Sequence, residues 1–190
     1  MYHKKIVMEM LENNPVIAAV RNKKDIEIVI ELPIQTVFIL GSSILELPEY
    51  VEILIKYRKN IFIHIDLVEG IGRDAAGVKF IAQKIKPHGL ISTRSNLLKF
   101  GSEEGLITIQ RMFLVDSTSF QSGIKMIHSS QPDLVEIMPG LIPKAITKLK
   151  SEIHQPIIAG GMITCKDDII HALKAGALAV STSQKELWTV

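Results

Sequence analysis

Eight short apolar runs alternate with seven helical segments along this 190-residue chain, and no hairpin turn such as Asn-Gly joins them. Alternation of this kind demands parallel strands, because each crossover helix returns the chain to the same end of the sheet. The runs are Val16–Val20, Thr36–Leu40, Ile61–Asp66, His88–Ser92, Leu106–Gln110, Leu134–Ile137, Pro156–Ala159 and Ala177–Val180. Helical patterns fall over Asp25–Leu32, Pro48–Tyr57, Ala75–Lys86, Asn96–Glu104, Ser117–His128 and Ile142–Glu152, and from near Cys165 to Lys174, where Gly176 stops the segment. A further helical pattern over residues 3–13 sets Ile6, Val7, Met10 and Leu11 at helical spacing before Asn13-Asn14-Pro15 breaks it. A leading helix of that kind suits the lower end of a barrel.

Two architectures satisfy parallel alternation. A doubly wound open sheet usually carries a glycine-rich turn after its first strand, but here that strand runs into Val20-Arg21-Asn22. The paired glycines stand instead in the last two units, at Gly160-Gly161, with hydroxyls at Ser181-Thr182-Ser183. The expectation is a compact (β/α)₈ TIM barrel forming one domain over residues 1–190. Its helices are short and its final helix truncated, since Gln184–Val190 leaves only a stub. The chain lies just under the ~200-residue lower bound of ordinary barrels of this fold. Hydrophobic residues make up 47% and aromatics only 5%, so Ile, Leu, Val and Ala must build the core.

Strand parity sorts the interior. In Ile61–Asp66 the isoleucines 61, 63 and 65 share one face, while Phe62, His64 and Asp66 share the other. A uniform isoleucine face suits packing against helices, which sends His64 and Asp66 inward, with Asp66 at the upper mouth. The same reasoning turns Ile107 and Ile109 towards the helices and Thr108 and Gln110 inward. It also turns Val135 and Ile137 outward and Glu136 inward.

Ligand chemistry in this fold gathers at the C-terminal strand ends. Those ends supply the candidate ligand-binding residues Arg21, Ser42, Asp66, Arg94, Arg111, Glu136, Gly160, Gly161, Ser181 and Thr182. The final two units have the form of a phosphate cradle, in which backbone N–H groups, hydroxyls and a helix N-terminus hold an oxyanion. The plainer reading of the glycines is two tight turns. Inward carboxylates are costly unless paired or hydrogen-bonded, and Arg21, Arg94, Arg111 and His64 are the available partners. Either these charges satisfy one another, or the acids hold ligand hydroxyls while the loops hold an anion. A small polyol phosphate fits that second division.

Other chemistries find little support. The sequence has no HExxH, no CxxC and no histidines at i, i+4, so no metal is expected; no G-x-S-x-G elbow appears either. No cofactor is called for. The single cysteine, Cys165, cannot form an internal disulfide and fits a reducing cytoplasm. No apolar run approaches the ~18 residues of a membrane span. A net charge of +2 is too small to announce a nucleic-acid binder by itself. Basic residues do cluster at Lys144, Lys148 and Lys150, and at Lys56, Arg58 and Lys59. A solvated helix face is the usual origin of such clusters.

Several longer runs carry a resemblance: HIDLVEGIGRDAAGVKFI (64–81), GLISTRSNLLKF (89–100), EEGLITIQRMFLVDS (103–117), VEIMPG (135–140), PIIAGGMI (156–163) and GALAVSTSQKELW (176–188). Together they resemble the glycerol uptake operon antiterminator family nearly end to end. The resemblance implies a cytoplasmic TIM-barrel regulator that responds to glycerol 3-phosphate. Such proteins are understood to bind the leader messenger RNA of glycerol-utilisation genes and prevent premature termination. Lys144 and Lys148, one helical turn apart, are then the candidate RNA-binding residues. Association between copies of the chain is left open. Two other readings stand beside this one. One is a phosphate-substrate enzyme with Asp66 and Glu136 as acid and base; the other is a metabolite-sensing module acting through a protein partner.

Overall fold

The structure, a computed structural model, describes residues 2–190; Met1 lies outside the described residues. Eight parallel strands close into a barrel. In chain order the strands are β1 (Val16–Val20), β2 (Thr36–Ile39), β3 (Ser42–Ser43), β4 (Asn60–His64), β5 (Val68–Glu69), β6 (Gly89–Ser92), β7 (Ile107–Phe113), β8 (Leu134–Met138), β9 (Ile157–Gly160) and β10 (Ala179–Thr182). All but β3 and β5 belong to the barrel, which closes where β1 pairs with β10 in register Ile17↔Ser181. The short strands β3 and β5 pair with each other as a small parallel sheet that the sequence reading did not anticipate.

Eight α-helices accompany the strands among the described residues: α1 (Tyr2–Asn13), α2 (Lys23–Val29), α3 (Leu47–Lys56), α4 (Ala75–Phe80), α5 (Ser95–Glu103), α6 (Ser117–Ser130), α7 (Pro143–Glu152) and α8 (Lys166–Lys174). Their starts follow local chemistry. Asn22 and Asp74 accept the N–H groups of Asp25 and Gly77, Asp116 and Ser119 form a capping box, and Pro143 opens α7. The final helix is reduced to a 3₁₀ turn, Lys185–Thr189, whose Trp188 is buried.

Two apolar layers result. The outer layer lies between strands and helices and includes Ile61, Ile63 and Ile65 together with Val135 and Ile137. The inner layer takes a residue from every barrel strand: Ile17, Phe38, Phe62, Ile91, Ile107, Ile109, Leu134, Ile158 and Ala179. Phe38 and Phe62 meet edge to face inside it, with centroids 5.6 Å apart. Val7 and Leu11 of α1 join the same cluster, so the leading helix closes the barrel's N-terminal end.

Parity holds for β4 and β8 but reverses in β7. Ile107 and Ile109 lie inside the barrel, and Thr108 and Gln110 face the helix layer. The polar pair is satisfied where it stands. Asp133 accepts from both the Thr108 hydroxyl and its N–H, while Gln110 bonds the Ser92 carbonyl and the Ser95 hydroxyl. Buried polar groups need only a partner, not the interior. The reversal carries Arg111, which belongs to the strand itself, into the barrel. Strand β4 also ends earlier than expected, at His64, and Asp66 sits in the 3₁₀ turn Ile65–Leu67 just beyond it.

Leu11 tests the role of α1 as a plug. Leu11→Ala should remove about 2–5 kcal/mol of stability in urea unfolding, the cost of a buried leucine truncation. A loss below about 0.5 kcal/mol, the scale of a surface substitution, would mean that α1 does not close the barrel.

Candidate functional site

A polar layer lies above the inner apolar one. His64, Arg111, Glu136 and Ser181 each stand two residues beyond Phe62, Ile109, Leu134 and Ala179, and so share their inward face. Glu136 is fully buried. The Arg111 Nε donates to its Oε2 at 2.6 Å, and the Ser181 hydroxyl donates to its Oε1 at 2.6 Å. Gly160, on the next strand, makes room for this bridge. A Cβ at that position would stand 2.5 Å from the Ser181 Oγ and 2.6 Å from the Glu136 Oε1. Arg111 is itself buried, and its Nη2 finds no hydrogen-bond partner among the described residues.

A cavity of about 140 Å³ opens above this layer. Arg21, Arg111, Glu136, Gly161, Ser181 and Thr182 all line it, which brings six of the ten sequence candidates together. It also takes Ser183 of the hydroxyl turn, and Met138, Met162, Thr164 and Gln184, which sequence reasoning passed over. Each of these sits within a few residues of a strand end, the one signal by which they are found. Gly161 and Met162 are consecutive left-handed residues, at φ +74° and +62°. For a methionine this conformation is strained, at a cost of order 1–3 kcal/mol. It is held at the rim of the cavity.

The remaining candidates lie elsewhere in the mouth. Asp66 accepts from the Ser92 hydroxyl at 2.8 Å and the Thr93 N–H at 2.9 Å, both on Oδ2. Its other oxygen, Oδ1, stands 3.5 Å from the Arg94 Nε. Ser42 lies in the small β3–β5 sheet, beside Val68. Two of the expected groups have partners within the fold. The Thr182 side chain is spent on the fold: its hydroxyl donates to the Ile163 carbonyl and accepts from the Gln184 N–H. The start of α8 already holds an anion, because Asp168 accepts from the N–H groups of Thr164 and Cys165 at 2.8 and 3.1 Å. Those backbone bonds hold its carboxyl below the usual range.

The lysines divide as well. Lys144 and Lys148 share two grooves, one against α6 and one against α8, and the second also contains His171 and Lys174. The Lys148 ammonium lies 5.0 Å from the centroid of the Phe120 ring, within cation–π range. Lys150 turns away, towards Gly176.

His64 is kept neutral. Burial is the main cause, the Arg111 charge adds to it and Asp66 opposes it, and together they push the imidazole from 6.5 down to about 4. Between those values the unfolded chain binds a proton that the folded chain does not, so stability rises with pH across that window. Falling from pH 6.5 to 4 should thus cost the wild type about 3 kcal/mol more than His64→Gln, at 1.36 kcal/mol per unit. Parallel stability–pH curves from denaturant unfolding would contradict the burial of a neutral imidazole.

The arrangement can be set beside known proteins. A family model described as glycerol-3-phosphate responsive antiterminator matches residues 16–188. The uncharacterized protein YgcP of Escherichia coli strain K12 is 35% identical over 184 residues, 97% of this chain and 96% of its own. The crystal structure of a glycerol uptake operon antiterminator regulatory protein from Listeria monocytogenes is 35% identical with a TM-score of 0.90, over 93% of this chain and 95% of that one. A glycerol uptake operon antiterminator-related protein from Thermotoga maritima is 28% identical with a TM-score of 0.83, over 93% and 99%. QR15, an aldolase, shares the fold alone, at 15% identity and a TM-score of 0.74. On the family model and on these relatives, the chain belongs to the glycerol-3-phosphate responsive antiterminator family.

Proposed function

We propose that this chain is a regulatory barrel that binds glycerol 3-phosphate and, in response, an RNA leader of glycerol-utilisation genes. The observation that carries the ligand half is the buried Arg111 guanidinium at the cavity. Its Nε is committed to Glu136, and its Nη2 is without a partner among the described residues. A buried donor left unpaired costs about 1–3 kcal/mol, and an anion removes that cost. Glu136, already bonded on both oxygens, does not repel such an anion as a free carboxylate would. Arg21 and the glycine and hydroxyl loops at residues 160–164 and 181–184 complete the surroundings of the phosphate.

The same pairing weighs against catalysis. Glu136 is enclosed by Arg111, Ser181 and the absent side chain of Gly160. That leaves it poorly placed to exchange protons with a substrate, so the acid–base pair of an enzyme reading loses one member. A sensor in the cytoplasm, acting as one barrel domain over residues 1–190, fits the site better. Among the described residues no helix is long and apolar enough to cross a membrane.

For RNA the supporting feature is the groove between α7 and α8, where Lys144, Lys148, Lys174 and His171 converge. The formal charge of +2 leaves affinity to a local patch of this kind.

Two measurements test the reading. At about 100 times its Kd, glycerol 3-phosphate should stabilise the fold by about 2.7 kcal/mol. That corresponds to a melting increase of about 5–10 °C for a domain of this size. Gly161→Asp should abolish the increase by setting a carboxylate beside the phosphate; a full increase in the mutant would move the phosphate elsewhere. Lys144→Glu with Lys148→Glu should weaken leader RNA and lower its log–log salt slope by about 1.4, at 0.7 per contact to a single strand. Ligand affinity should survive that change. Unaltered RNA affinity at several salt concentrations would make the patch an ordinary solvated face.

A further inference from the structure

The cavity assigned above to the anion occupies one side of the barrel mouth, and the other side contains further unsatisfied polar atoms. His64 and Arg111 are both more than nine-tenths buried. The His64 Nδ1 and the Asp66 Oδ1 lack hydrogen-bond partners among the described residues, as the Arg111 Nη2 does at the cavity. They belong to one connected row: Ser181 and Arg111 hold Glu136, Arg111 acts electrostatically on His64, and the His64 Nδ1 stands 3.5 Å from the Asp66 Oδ2. The row is bonded at both ends and open in the middle. At its far end, the Ser92 hydroxyl and the Thr93 N–H and hydroxyl pin the Asp66 Oδ2 and leave Oδ1 with only the Arg94 Nε at 3.5 Å.

We propose that His64 and Asp66 form a hydroxyl-binding pole, so that the site reads a ligand with an anion at one end and a hydroxyl-bearing carbon chain at the other. This deepens the ligand assignment above and rests on it. The chemistry of the pole selects the class of group. A carboxylate oxygen is an acceptor only and requires a donor. A second anion would be repelled there. A cationic donor would meet Arg94 and Arg111, which already supply positive charge on either side. A hydroxyl is neutral, donates to the Asp66 Oδ1 and can pair with the His64 Nδ1 in either sense. Glu136 has a partner on each oxygen, whereas the Asp66 Oδ1 has no hydrogen bond, so of the two acids Asp66 is the one with a wholly open acceptor.

Asp66→Asn inverts the pole without dismantling it. The amide oxygen can keep the Ser92 and Thr93 bonds, while the NH₂ group replaces the open acceptor with a donor. Calorimetry should compare glycerol 3-phosphate, propyl phosphate and inorganic phosphate on the wild type and on this variant. The wild type is expected to bind glycerol 3-phosphate at least ~10-fold more tightly than propyl phosphate, the scale of leaving one buried polar group unpaired. The variant is expected to bring that ratio within about threefold, with inorganic phosphate affinity unchanged. The wild-type comparison stands even if the variant fails to fold. A wild-type ratio below threefold, or a ratio unmoved by Asp66→Asn, overturns the pole and leaves the phosphate site intact. If the wild type binds neither ester, the ligand assignment fails, and the pole falls with it.

Discussion

Everything at the mouth depends on one buried carboxylate. Glu136 is placed inside the barrel by the two-residue period of β8, with Leu134 beneath it in the apolar layer. A carboxylate there without partners is prohibitive, and three neighbouring strands supply the remedy. Strand β7 brings Arg111, β10 brings Ser181, and β9 withdraws its side chain altogether at Gly160. The result neutralises Glu136 and fixes the guanidinium by its Nε alone. One edge of Arg111 thereby stays open to the cavity. Pairing of this kind contributes little net stability, because desolvation offsets the attraction. Its consequence is positional: a guanidinium held rigidly at the base of the cavity.

The barrel divides its chemistry by height. Phenylalanine, isoleucine and leucine fill the lower interior, and α1 shuts that end with Val7 and Leu11. Apart from Asn60 and Thr36, which bond each other beside Met10 of α1, the inward polar residues gather in the last layer before the loops, close to the cavity. The strained Gly161–Met162 pair and the loops around Thr182 form the rim over that layer. Thr182 contributes by bracing, since its hydroxyl and carbonyl tie the Ile163 loop and Trp188 to the end of β10. Loops at the cavity rim can then be held in place by groups that need not touch a ligand.

Much of this was legible in the sequence, for identifiable reasons. Short β-branched runs and helical segments alternate cleanly, so the barrel, its closing helix and the inward turn of Glu136 follow from periodicity. In β7 both faces are apolar enough to bury, and the polar residues Thr108 and Gln110 lie outside, satisfied by Asp133, Ser92 and Ser95. Those partners come from other elements and are invisible along the chain, which is why parity failed there. The same holds for Asp168, whose bonds to the Thr164 and Cys165 N–H groups set a carboxylate at the start of α8. Strand ends revealed where the candidate residues gather. They did not separate Arg21 and Gly161, at the cavity, from Asp66 and Arg94, on the other side of the mouth. Nor did they show that His171 and Lys174 join Lys144 and Lys148 in one groove, which needs the packing of α7 against α8.

The most direct test of a site built on Arg111 is a crystal structure of the protein grown with glycerol 3-phosphate. Density for the phosphate is expected in the cavity, with an oxygen within about 3.2 Å of the Arg111 Nη2 and the Arg111–Glu136–Ser181 bridge unchanged. A ligand bound outside the barrel mouth, or one that leaves the Nη2 without a partner, would contradict the account.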